Sequence, residues 1–229
     1  SADLSRLEID SSGDFSNKSQ DEAFGDDEAI FNCRLNYEQI AKGKRTVIFN
    51  NSTKTNVKVY EDFKNAGYPV RMYDSVNVTD ETRQEIVNWF KETPGAILCN
   101  VATFLAGFDA RNIECVILNV ATLSIAKYLQ AVGRGGRSCN EIYKPNFILI
   151  DGGNNVNRFG IWSDPTRDWK KMFFEGVGET KPKKEQPLSV KECRSCGQLY
   201  SANTNVCPNC GESKPIIIKE RVESEEILQ

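Results

Sequence analysis

Between Arg45 and Ile150, short apolar runs alternate with stretches whose apolar residues recur every three or four positions. The runs are Val47-Ile48-Phe49, Val70-Arg71-Met72-Tyr73, Ala96-Ile97-Leu98-Cys99, Cys115-Val116-Ile117-Leu118 and Phe147-Ile148-Leu149-Ile150. Most lack polar alternation, the pattern of strands covered on both faces. Between the first two runs, Ser52 or Thr53 opens a helix with Val57, Tyr60 and Phe63 on one side and Gly67 at its end. A second helix is expected over residues 80–91, burying Ile86, Trp89 and Phe90, and a third from a Ser124 cap through Ile125, Leu129 and Val132. Strand alternating with helix predicts an α/β fold, a parallel sheet flanked by helices. Ligands of such sheets collect at the carboxyl ends of the strands, so segments that follow strand-like runs are expected on one rim.

The flanks read differently. Residues 1–40 are rich in Asp, Glu, Ser and Asn without a sustained period and are expected as an acidic connector. Residues 41–160 form the lobe. Residues 161–190 are an extension and linker, with Trp162, Trp169, Phe173 and Phe174 packing and Lys181-Pro182-Lys183-Lys184 exposed. A cysteine module occupies 191–213, and 214–229 is a charged tail in which Ile216-Ile217-Ile218 adds a strand.

Composition narrows the chemistry. The 229 residues carry a formal net charge of −3 and no histidine, which excludes Ser-His and Cys-His hydrolytic machinery. Any nucleic-acid contact must use local basic patches. No apolar run is long enough to span a bilayer, and a cytoplasmic protein without membrane partners is expected. Of eight cysteines, Cys33, Cys99, Cys115 and Cys139 are scattered and read as reduced packing thiols.

The densest chemistry lies in Gln130-Ala-Val-Gly133-Arg134-Gly-Gly136-Arg137. A guanidinium stays charged and offers phosphate a planar fork of donors, and glycines allow close backbone approach. A surface turn that binds any anion is the alternative reading of this octet taken alone.

The order of motifs extends the reading. Thr46-Val-Ile-Phe-Asn-Asn-Ser-Thr53, Ala106-Gly-Phe-Asp109, Thr122-Leu-Ser124 and the octet resemble motifs IV, V, Va and VI of superfamily 2 helicases. Ile150-Asp-Gly-Gly-Asn-Asn-Val-Asn-Arg-Phe-Gly160, with Asp164 and Trp169, resembles the bacterial RadD-like branch, which also ends in a four-cysteine module. The resemblance implies a RecA-like second lobe in a bacterial cell or phage-infected host. By it, Arg134 and Arg137 are arginine fingers and Gln130 positions them or the attacking water. Gly107, Asp109 and Gly133 line the nucleotide, while Ser52, Thr53, Thr103 and Thr122 meet the phosphates of a bound strand, DNA with RNA as the other possibility. Ala106 stands where motif V often has Thr or Glu. ATP and Mg²⁺ would sit in a cleft completed by a first RecA-like lobe, because these residues contain no Gly-x-x-x-x-Gly-Lys-Ser/Thr loop. Asp21-Glu22-Ala23-Phe24 imitates an acidic magnesium motif by letters only and belongs to the connector. The chain alone is expected to be inactive. The rival reading is a non-catalytic adaptor that binds nucleic acid or a protein partner through a degenerate RecA-like fold and a zinc ribbon.

Cys193-Arg-Ser-Cys196-Gly and Cys207-Pro-Asn-Cys210-Gly are two knuckles separated by ten residues. Each places two thiolates on one tight turn, and together they suit tetrahedral Zn²⁺ in a closed structural site. Paired disulfides, a redox dithiol and a four-cysteine iron centre are the alternatives. Lys181, Lys183, Lys184, Lys191 and Arg194, with Tyr200 as a stacking ring, suit nucleic-acid contact, and a protein-docking knob is the equal alternative.

Overall fold

A computed structural model describes residues 2–73, 80–101, 110–164, 167, 169, 190–201 and 204–213. Ser1–Arg167 and Asp168–Gln229 form two separate compact units.

All five apolar runs become strands of one parallel sheet in the first unit. They are β1 (Thr46–Asn50), β2 (Val70–Tyr73), β3 (Ile97–Val101), β4 (Cys115–Asn119) and β5 (Ile148–Asp151), in the order β2-β3-β1-β4-β5. β1 and β4 are buried along their whole length, and β3 over its first four residues, whereas the edge strands β2 and β5 are partly exposed. Unbroken apolar runs at the centre therefore follow from cover on both faces. Thr46, Phe49 and Asn50 of β1 stand opposite Ile97, Asn100 and Val101 of β3, and β4 continues the same register on the other side.

The helices are α1 (Asn17–Phe24), α2 (Asp27–Ile40), α3 (Thr53–Asn65), α4 (Asp80–Glu92), α5 (Ile125–Gly133) and the short α6 (Asn155–Phe159). One face of the sheet is sealed by Ile30, Cys33 and Tyr37 of α2 with Val59 and Phe63 of α3, against Ile48, Ile97, Cys99 and Ile117. Tyr37, Phe63 and Tyr68 pack ring on ring, with centroids 5.3–5.8 Å apart. Right-handed crossovers put α4 and α5 on the opposite face, toward which the alternate buried residues Val47, Phe49, Leu98 and Val116 point. The inward residues of α3 are Thr55, Asn56, Val59 and Phe63, so the expected stripe is rotated and Val57 and Tyr60 lie at its margin. In α4, Ile86, Val87 and Phe90 are buried, while Trp89 is half-buried with the Arg71 guanidinium 4.7 Å from its ring centre. The scattered thiols Cys33, Cys99 and Cys115 are core residues, and burial pushes Cys33 and Cys115 up to about 12.

Residues 1–40 are not a separate connector. α2 closes the core, and its stripe of Ala29, Ile30, Cys33 and Tyr37 follows an Asp26 cap that accepts from the Ala29 N–H. α1 lies over the segment that follows β4: Ala23 and Phe24 pack with Ala121, and the Gln20 side chain accepts from the Ala121 N–H at 3.0 Å. Its inward face also carries Ser19 and Gln20, polar residues satisfied by specific bonds, so hydrophobic periodicity conceals it.

Asp14 fastens this segment. Its carboxylate accepts from the Leu123 N–H at 2.7 Å, the Thr122 hydroxyl at 2.7 Å and the Lys127 ammonium at 2.8 Å. Burial pushes the carboxyl up, but the bonds from Lys127, Leu123 and Thr122 outweigh it and hold the group below its ordinary value. A lowered carboxylate stabilises the fold above its unfolded value, about pH 4, and loses that contribution as pH falls through the folded value. Asp14→Asn should therefore cost on the order of 1–3 kcal/mol in urea denaturation at neutral pH. The gap to wild type should narrow in acid; a gap that stays constant would remove the carboxylate as its source.

Candidate functional site

Two of the sequence motifs lie at the ends of α5, which are built differently. At its start, the Ser124 side chain caps the helix by accepting from the Lys127 N–H. Thr122, just before it, is 6% exposed and uses every polar group internally. Its hydroxyl donates to Asp14, its N–H to the Asn155 side chain at 3.0 Å, and its carbonyl accepts from Arg158 at 3.0 Å. Asn155 is in turn fixed by donating to the Val120 carbonyl and to Asp151, whose carboxylate also receives the N–H groups of Gly153 and Val156. The segment after β5 thus serves to hold the segment after β4. Thr122 was expected to meet a strand phosphate, and the structure instead turns it inward.

Ser52 is engaged in the same way at the carboxyl end of β1. Its hydroxyl donates to the Asp21 carboxylate and accepts from the Thr55 N–H as the cap of α3. Asn51 and Thr55 also donate to that carboxylate, at 2.6 and 3.0 Å. Asp21 is therefore an anchor for the start of α3. Thr53, in the first turn of α3, is exposed. Thr103, Gly107 and Asp109 lie outside the described residues.

The arginine octet occupies the far end of α5. Gln130 is on the exposed side of the helix, Gly133 is its last residue, Arg134 is the half-buried cap residue, and Arg137 is exposed. α5 leaves the carboxyl end of β4 and runs back across the sheet, about 13 Å for its nine residues at 1.5 Å each. Its end lies beside the segment that enters β4. There the Lys144 ammonium donates to the carbonyls of Arg111 (2.6 Å), Ile113 (3.1 Å) and Gly135 (3.0 Å). Burial lowers this lysine from its ordinary value. The expectation that the octet shares the carboxyl rim with the other motifs is thus corrected: Ser52 and Thr122 sit at the carboxyl ends of the strands and the arginines at the amino ends.

The glycines of the octet are required by packing inside the protein. A β carbon on Gly135 would lie 2.4 Å from the Phe147 ring, and one on Gly136 2.3 Å from the Trp162 ring. Gly133 also faces Trp162, at an ordinary 3.5 Å. Phe147 and Trp162 meet edge to face at 5.9 Å, forming a bed for the turn. Trp162 therefore packs as expected, while Trp169 is 58% exposed.

In the second unit, β6 (Val190–Glu192) and β7 (Leu199–Ser201) pair antiparallel, and Val206 bridges to Ser213. The two knuckles have the same backbone bonds. The N–H of Gly197 donates to the Cys193 carbonyl at 2.8 Å, and that of Gly211 to Cys207 at 2.9 Å, with φ of 71° and 75° at the glycines. The four sulfurs lie within 4.8 Å of one another, with Cys193 to Cys210 at 3.5 Å and Cys196 to Cys207 at 3.7 Å. The Gln198 N–H and the Asn209 side chain hold the Cys196 thiol down to about 6. This set of four could hold a metal ion. Tyr200, expected as a stacking ring, is 4% exposed with the Lys191 ammonium 4.8 Å from its ring centre.

Comparison with known proteins adds four findings. Residues 28–139 match the model of the helicase conserved C-terminal domain family. The chain is 29% identical over 212 residues to a 51.5 kDa protein of a Lactococcus phage (isolate 7-9), covering 92% of this chain and 45% of that protein. It is 28% identical over 143 residues to a Saccharomyces cerevisiae protein named as a candidate ATP-dependent helicase, IRC3, covering 61% and 20%. The chain thus spans less than half the length of either curated relative. Among solved structures, the C-terminal part of the Fun30 ATPase domain aligns at 18% identity with a TM-score of 0.45, covering 57% of this chain and 41% of that one. No helix among the described residues is long and apolar enough to cross a membrane.

The aromatic bed is open to a direct test. Gly136→Ala should destabilise the first unit by about 1–3 kcal/mol through overpacking against Trp162. In a Trp162→Ala background the same substitution should cost little, and a double-mutant cycle measures the coupling. Additive costs would remove the ring as the cause.

Proposed function

Residues 28–139 are a helicase conserved C-terminal domain, the second lobe of a superfamily 2 helicase, and from that premise we propose that the chain completes a split ATPase site in a DNA helicase or translocase. The observation that carries this reading is α5. It links a rim held by Asp14 and Asn155 to a braced turn that bears Arg134 and Arg137.

In this reading the first RecA-like lobe, outside the 229 residues, binds ATP with Mg²⁺, and the bound nucleotide supplies the phosphoryl group. The guanidinium groups of Arg134 and Arg137 reach that group from across the cleft and offset negative charge as it develops. Gln130, one turn before Arg134 on the exposed side of α5, orients them or a water. Gly107 and Asp109 line the nucleotide. Thr53 and Thr103 contact strand phosphates; Ser52 and Thr122 hold the rim together instead. A braced turn suits this task, because a donor fork already in place does not have to be ordered when the charge appears. A scaffold with no part in hydrolysis has no need of it.

Mixing this chain with a first-lobe polypeptide should give DNA-stimulated ATP hydrolysis. Arg137→Ala should lower turnover by roughly 10³ to 10⁵ while leaving the fold intact, and undiminished turnover in that variant would sink the assignment. Measuring stimulation by DNA and by RNA in parallel tests the choice of strand.

The four cysteines are read as a structural Zn²⁺ site. Tetrahedral Zn–S bonds of about 2.3 Å imply sulfur-to-sulfur edges of about 3.8 Å, close to the 3.5 and 3.7 Å found. Elemental analysis after reducing purification should find one zinc per chain, and chelation should unfold the second unit while leaving the first intact. Iron with visible absorption, or no metal, would overturn the zinc.

A further inference from the structure

In the arginine octet, Ala131 and Val132 are buried on α5, and the turn lies beyond the end of that helix. Gln130 and Arg137 are exposed, and three of its residues are glycines. Phe147 and Trp162 supply a surface for the turn. Lys144, seven residues beyond Arg137 and four before β5, bonds the turn directionally through the Gly135 carbonyl.

We propose that Lys144 is the positioning residue of the arginine turn, pinning it to the segment that enters β4. Its ammonium has three protons and three close acceptors, the carbonyls of Arg111, Ile113 and Gly135. The tether lands between the two arginines, since Gly135 directly follows Arg134 and precedes Arg137 by two residues. The acceptor just past the end of α5 belongs to the negative pole of the helix, where a cation is favoured. The other two acceptors precede β4, a central strand buried along its whole length. The turn is thereby referenced to the most rigid part of the sheet.

A lysine fits this position for a geometric reason. Ammonium protons diverge tetrahedrally and can meet three carbonyls from three segments, whereas a guanidinium holds its donors in one plane. Arginine at 144 would keep the charge and reach one or two of the acceptors. Methionine would keep the apolar stem and reach none.

The inference rests on the reading of Arg134 and Arg137 as phosphate-directed groups, and its test separates the two. On the chain alone, trypsin cleaves after exposed, mobile arginines. Lys144→Met should accelerate cleavage after Arg134 and Arg137 while leaving cleavage after Lys54 and Lys64 of α3 at the wild-type rate. With the first-lobe polypeptide, the same variant should lose on the order of 10²-fold in kcat, the cost of misplacing a catalytic group by about 1 Å. KM for ATP should stay near wild type, and Lys144→Arg should recover part of kcat. Wild-type kcat in Lys144→Met overturns the proposal. So does faster cleavage along the whole chain in both variants, which would mark Lys144 as a general support. Full turnover in Arg137→Ala would instead remove the motor reading, and the site-selective trypsin result would still decide whether Lys144 pins the turn.

Discussion

A nine-residue helix fastened at both ends governs this molecule. At its start, Asp14 gathers the hydroxyl of Thr122, the N–H of Leu123 and the ammonium of Lys127. At its end, Lys144 gathers three carbonyls. An anion holds donors at the positive end of α5 and a cation holds acceptors at the negative end, so both fastenings agree in sign with the helix dipole. Tyr128, Ala131 and Val132 add the apolar seal in between. The two rims of the sheet are thus joined by one rigid element.

That arrangement explains why segments remote in sequence surround one helix. Residues 14–24, the segment after β4 and the segment after β5 each make bonds that only the others can satisfy. Asn155 is fully buried, yet its amide is satisfied by the Thr122 N–H, the Val120 carbonyl and Asp151. Buried polar groups with complete partner sets favour one arrangement strongly, because losing one partner strands the rest. Precision at the rim is obtained with asparagine, threonine and aspartate, where the core uses aliphatic residues.

The difference in materials decided what was legible in the sequence. β1, β3 and β4 could be read from unbroken apolar runs because burial on two faces leaves no other pattern. The four-cysteine cluster was legible because thiol spacing and turn geometry are local. α1 was not, since Ser19 and Gln20 occupy its inward face; α2 was, had the spacing of Ile30, Cys33 and Tyr37 behind Asp26 been weighed. Ser52 and Thr122 were read as contacts to strand phosphates, and their hydroxyls are instead bonded inside the protein, because a hydroxyl does not reveal from its sequence whether it faces solvent or a carboxylate such as Asp21 or Asp14. The placement of the octet failed on a simpler point. A helix that follows a parallel strand returns across the sheet, so its last residues lie at the opposite rim from its first.

The cysteines divide the molecule by reactivity as well as by position. Cys33, Cys99 and Cys115 lie in the sealed face of the sheet, and burial holds their thiols protonated. Cys196 and Cys210 are exposed on their knuckles. An alkylating reagent therefore meets the core thiols and the exposed knuckle thiols on different clocks. Modification of the three core thiols must wait for the sheet to open, and so reports the global unfolding rate of the first unit. Modification of Cys196 and Cys210 does not wait for that opening.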